Sequence, residues 1–134
     1  MDRSGAGDGQ VVRYVRIFTE DGVSRFEDVV APLVEVAGPP PAGPPLFVSH
    51  RLPAEATNLV RMPKGWRDEG HPSPGRLLFV LVSGIVEITA GGEVRRFTAG
   101  DVVLTEDTEG EGHAGHAIED VTWAVVRLGP TESG

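Results

Sequence analysis

An all-β barrel or sandwich is the fold class this sequence predicts, and three observations carry it. Short runs rich in β-branched and aromatic residues recur at even spacing, with glycine turns between them. Eighteen Gly and eleven Pro mark many turns rather than long helices. No stretch shows the i, i+3, i+4 apolar periodicity of an amphipathic helix.

The elements follow in order. Met1 to Gln10 is polar and glycine-rich and reads as a disordered tail with no apolar core of a secretory signal. Val11 to Thr19 (V-V-R-Y-V-R-I-F-T) reads as a strand, Glu20-Asp21-Gly22 as a turn and Val23 to Val30 as the hairpin partner. Gly38 to Pro45 (G-P-P-P-A-G-P-P) cannot pair in a sheet, because proline lacks the donor. It reads as a stiff surface loop, either a plain connector or a rim over a pocket. Leu46 to Leu52 and Asn58 to Met62 are two further strands split by a Pro-Ala-Glu loop. Leu77 to Val82 is apolar on both faces, the pattern of a strand buried between two layers. Ile85 to Ala90 alternates, Gly91-Gly92 is a two-residue hairpin signal, and Val94 to Phe97 returns. Val102 to Leu104 and Val121 to Leu128 complete about nine strands, and a polar loop carrying two His lies between them. The chain is read as one domain over residues 11–129, with a C-terminal tail over 130–134.

Composition excludes several classes. At 134 residues there is one core and no room for two. The net charge of -8, with eleven scattered Arg and only Lys64, argues against a nucleic-acid backbone as partner. No run approaches the roughly 20 apolar residues of a membrane helix. Cysteine is absent, so there is no disulfide framework, thiolate nucleophile or Cys-based zinc site, which fits a cytoplasmic protein. There is no phosphate loop, nucleophile elbow or dinucleotide fingerprint.

The stretch from Gly65 to His116 resembles the two motifs of the cupin superfamily, whose fold is a small double-stranded β-helix (jelly-roll) barrel. Gly65 is followed after five residues by His71, and Ser73, Leu77 and Gly84 fall at the later offsets of the first motif. Gly100-Asp101 opens the second motif, whose His is best matched by His113 with two extra residues in the loop. Fifteen residues separate Gly84 from Gly100, the short hairpin of compact bacterial cupins. The likeness covers roughly residues 60–128. It implies a cupin-type barrel with His71 and His113 facing each other in its mouth.

Departures from the motif shape the functional expectation. Metal-using cupins bring two His, a Glu and a later His onto one cation, but here the second His is Ser73 and the Glu is Leu77. No cofactor is therefore expected. A divalent transition metal, if present, would need His71, His113 and His116 with a carboxylate.

The candidate catalytic residues are His71 and His113, as general acid and base because His titrates nearest physiological pH, and Glu106. Glu106 and Asp107 lie in the loop after the Val102 to Leu104 strand, where a carboxylate serves either as a base or to orient a His. Candidate substrate-binding residues are Arg61 for its fork of donors, Trp66 as a wall, and His50, Ser73 and Thr108. The expected function is redox-neutral acid–base chemistry on a small molecule, as cyclase, isomerase, dehydratase or lyase in bacterial specialised metabolism. A non-catalytic small-ligand-binding cupin and a metal-dependent oxygenase or lyase are the alternatives. A homodimer is expected through unpaired edges, with the Val11 to Val30 hairpin swapped or docked.

Overall fold

The β-branched runs form eleven strands in the computed structural model, which describes residues 10–39 and 43–130. They are β1 (Val11–Glu20), β2 (Val23–Pro32), β3 (Val34–Val36), β4 (Leu46–Val48), β5 (Ala54–Met62) and β6 (Leu77–Ser83). Then come β7 (Ile85–Ala90), β8 (Glu93–Thr98), β9 (Val102–Thr105), β10 (His113–Ala117) and β11 (Val121–Leu128). The expectations for the two tails fall on residues outside those described, save Gln10 and Pro130. Among the described residues there is no helix long and apolar enough to cross a membrane.

Six strands form one sheet in the order β2-β1-β9-β6-β11-β5, and three form a second in the order β10-β7-β8. Every pairing is antiparallel except β1 with β9, which run parallel with Val15 opposite Val103. Period-two alternation supplies the core between the two sheets. Along β11, Val121, Trp123 and Val125 are buried while Thr122, Ala124 and Val126 are only partly covered. These meet Leu81, Val103, Ile17, Val86 and Ile88 from four other strands. Each such aliphatic side chain removed from water stabilises the fold by about 1.5–3 kcal/mol. Trp123 and Phe79 pack edge to face with centroids 5.2 Å apart.

The hairpin between β7 and β8 turns through Gly91 and Gly92, with φ of 57° and 81°. Two successive positive φ values are the signature of the turn whose twist matches the flanking strands.

Several expectations are corrected. The strand expected over residues 46–52 stops at Val48, so His50 lies beyond it and is exposed. Ala54 and Glu55, expected in a loop, begin β5, because Pro53 sits just ahead of the ladder where no N–H is needed. The loop carrying His113 and His116 is strand β10, paired with β7 from His113↔Ala90 to Ala117↔Val86. His, Ala and Gly carry little strand propensity, so this pairing is imposed by the neighbouring strand. Strand β3 was not foreseen either. It pairs with β4 alone, and the proline-rich segment joins the two; residues 40–42 of that segment are not described. Finally, β6 is not buried on both faces along its whole length. Leu81 is 1% exposed, whereas Val82 is 54% exposed, because only one side of the six-stranded sheet has a facing layer.

Candidate functional site

The segment between β5 and β6 has no regular secondary structure, yet it is held firmly against β10. Arg67 bridges to His116 and His71 to His113. The backbones of His71 and His113 exchange both hydrogen bonds, at 3.0 and 3.1 Å. Gly112 makes this approach possible. Its φ is +83°, and a Cβ there would stand 2.1 Å from the carbonyl carbon of His71. One glycine thus brings together two residues far apart in the chain, with ring centroids 5.4 Å apart.

The two rings line a cavity of about 90 Å³ together with Asp68, Trp66, Thr105, Gly115 and Trp123. At about 10–15 Å³ for each water-sized group, it has room for roughly six to nine such groups. Apolar side chains from both sheets close its floor, among them Met62, Phe79, Val86, Ile88 and Val103.

The hydrogen bonds set the two imidazoles apart chemically. His113 Nδ1 lies 2.7 Å from a carboxylate oxygen of Asp107, which is completely buried. The same oxygen accepts the Ser24 hydroxyl at 2.6 Å. A carboxylate can only accept, so His113 carries a proton on Nδ1. His71 Nδ1 faces the Pro72 carbonyl at 2.9 Å, and its Nε2 faces the Asp68 carboxylate at 2.9 Å. Both partners accept only, so they favour the protonated imidazolium of His71. Its pKa is accordingly raised, first by the Pro72 carbonyl and then by Asp68, against the opposing effect of partial burial. Two imidazoles with different hydrogen-bond partners thus share one cavity.

Residues expected at the site divide sharply. His71, His113 and Trp66 line the cavity. Asp107 orients His113 as one of the two carboxylates considered for that role. Glu106 does not act there: it points the other way and accepts from Arg16 and from Arg76, the latter at 2.7 Å. Burial would raise its pKa, but the two guanidinium groups hold it below the ordinary 4.5. Arg61 is exposed and reaches Asp120 on the outer surface, because its position on β5 faces away from the core. Its loss as a substrate clamp follows from strand parity. His50 is exposed and remote. Ser73 is buried but engaged with the Thr105 hydroxyl at 2.8 Å and the Gly75 carbonyl at 2.6 Å. Thr108 is exposed beside Glu106 on the outer side of the loop. His116, three residues beyond His113 on β10, faces the opposite side and contacts Arg67 at 3.0 Å.

A transition metal of the kind many cupin sites hold does not fit these residues. Both nitrogens of His71 already face acceptors, the Pro72 carbonyl and the Asp68 carboxylate, and Leu77 packs against the core where a carboxylate ligand would stand. His116 is turned away, and among the described residues no three His, Cys, Asp or Glu side chains are grouped to hold an ion. Ser24, Asp68 and Trp123 were missed by sequence reading. Asp68, three residues before His71 in the glycine-flanked R-D-E-G-H stretch, carried the one local signal that could have revealed it.

A small jelly-roll barrel with a side-chain-lined interior is the class that this architecture and cavity define. His71 and His113 meet across its mouth, the arrangement that the cupin-like motif positions implied. No family model matches the sequence, and no curated protein matches it. Among solved structures, the chain is similar to a conserved protein of unknown function from Streptococcus pyogenes (26% identity, 63% of this chain and 71% of that one, TM-score 0.49). It is also similar to an RmlC-like cupin from Shewanella frigidimarina (13% identity, 94% and 90% covered, TM-score 0.48). A cupin superfamily protein from Desulfitobacterium hafniense is a third (14% identity, 72% and 76% covered, TM-score 0.47).

Proposed function

We propose that this chain is a cupin-type enzyme of redox-neutral acid–base chemistry on a small molecule, of the isomerase, cyclase, dehydratase or lyase type. The observation that supports it is the His113–Asp107 pair opposite His71. Asp107 keeps the proton on Nδ1 and leaves Nε2 as the base, while His71 supplies the acid. Such paired groups contribute typically about 10²–10⁴-fold each to a proton transfer. The test is solvent deuterium incorporation into small carbonyl and hydroxycarbonyl compounds in D2O. Exchange above the buffer rate that is lost in His113→Ala supports the reading. Ligand binding without exchange, with His113→Ala changing affinity alone, leaves a binding module instead.

We further propose that the chain works as a homodimer. The β3–β4 ribbon exposes Val34, Leu46 and Phe47, and the open face of the six-stranded sheet exposes Leu59 (76%) and Val82 (54%). A two-stranded ribbon is marginal by itself, and apolar patches of this kind mark protein contacts. The Val11–Val30 hairpin, the expected swapped or docked element, pairs with β9 through β1. Light scattering that shows a monomer at micromolar concentration overturns the dimer.

A further inference from the structure

The cavity shared by His71 and His113 has an open end and a closed one. At the open end the His71 side chain is 52% exposed and Trp66 is 36% exposed. At the closed end Val86 and Val103 are each 1% exposed, and Ile88 and Phe79 complete an apolar floor. The Thr105 hydroxyl, also in the lining, is engaged with Ser73. A molecule held here buries an apolar body on the floor and keeps its polar group at the mouth.

Charge narrows the occupant further. No Arg or Lys is among the described residues that line the cavity. The guanidinium groups of the neighbouring segments are used elsewhere: Arg61 on Asp120, Arg67 against His116 and Arg76 on Glu106. Each imidazole already faces a carboxylate, Asp68 at 2.9 Å for His71 and Asp107 at 2.7 Å for His113. An anion therefore meets no surplus positive charge. The carboxylates are engaged as well, Asp68 also by the Gly115 N–H and Asp107 also by Ser24, so a cation gains no free partner. Burying an ion without a partner is costly, whereas a neutral molecule escapes that cost. Size sets the last limit, since a cavity of about 90 Å³ holds one ring with a short substituent.

We infer that the occupant is an uncharged molecule the size of a single ring, with an apolar body and one hydrogen-bonding group held at the mouth beside His71 and His113. This rests on the acid–base reading above only in treating the occupant as the substrate. Dicarboxylates and phosphate esters fall outside the class.

Benzyl alcohol is the probe, with benzoate and benzylammonium as charged counterparts of similar size and naphthylmethanol as a larger one. The chain has two Met, so a spectrum of 13C-methyl-labelled methionine reports both, and Met62→Leu assigns the one that lines the cavity. Benzyl alcohol is expected to shift the Met62 methyl resonance saturably, with an affinity at least about tenfold above that of each other compound. Asp68→Asn leaves the His71 charge unmatched while its amide oxygen can still accept from Gly115, so benzoate is expected to gain about tenfold on benzyl alcohol. Should that variant fail to fold, the ranking in the unaltered protein decides. Benzoate or benzylammonium binding as tightly as benzyl alcohol overturns the uncharged class, and naphthylmethanol doing so overturns the size limit. A stationary Met62 resonance with all four compounds overturns the inference. Deuterium exchange confined to anionic carbonyl compounds also overturns it and leaves the acid–base reading standing. Selective benzyl alcohol binding with no exchange into any carbonyl compound supports the ligand class and overturns the enzyme.

Discussion

Glu106 and Asp107 are neighbours in the chain and opposites in the fold. Glu106 leaves β9 toward the outer surface and is gripped by two arginines; Asp107 turns inward, is completely buried, and meets a serine and a histidine. The same functional group becomes a structural tie in one place and an orienting partner in the other. What differs is the company. Guanidinium partners neutralise a carboxylate outright. An imidazole shares a single proton with it and remains free to act at its other nitrogen.

That contrast can be broken by exchanging the roles in experiment. The largest effect is expected from His113→Ala and Asp107→Asn, which should each lower catalysed deuterium exchange by about 10²–10⁴-fold. In Asp107→Asn the fold is expected to survive, because the amide can still accept from Ser24. A thermal melt close to that of the unaltered protein, with exchange lost, is the signature.

Glu106→Gln is expected to do the reverse. It leaves Arg16 and Arg76 facing each other without a full countercharge, and both are partly solvated, so a loss of about 1–3 kcal/mol in urea unfolding is expected. Exchange activity should stay within about twofold of normal, since no step of the proposed chemistry involves this residue. A Glu106→Gln enzyme that is stable but inactive would erase the distinction between the two carboxylates.

A smaller effect separates them by pH. The folded-state pKa of Glu106 is lowered from 4.5, so the unfolded chain takes up the proton first as pH falls. The stability it contributes is present above about 4.5 and is lost as pH drops through the folded value. The urea midpoint of the unaltered protein should fall between pH 6 and 3 more steeply than that of Glu106→Gln. His71 has the opposite sign. Its pKa is raised from 6.5, so its contribution is present below about 6.5 and disappears as pH rises through the folded value. Because His71 is half exposed, the smallest change is expected there, seen best as an imidazole chemical-shift titration with its midpoint above 6.5.

How much of this was legible in the sequence follows from what a local pattern can report. Alternation and glycine turns gave most strands, and motif spacing placed His71 and His113 together. Strand β10 was hidden, because H-A-G-H-A has no strand-forming composition and is ordered by its pairing with β7. Alternation also cannot say which face looks inward without a neighbour for reference. Arg61 and His116 were therefore read toward the site when both face outward. Ser24 and Trp123 were illegible for another reason. Nothing near them in sequence marks a site, and their roles arise only from strands brought together by the fold.

The serine beneath Asp107 ties the site to the order in which the chain assembles. Ser24 stands 83 residues before its partner, on a hairpin that closes locally in about 1–10 μs but docks through β9 and against Phe97 and Arg95 of β8. Contacts of such long separation are slow to form. On refolding, Trp123 should regain its buried fluorescence when the β6–β11 pairing forms, and competence for proton transfer should follow only once the first hairpin of the chain has docked.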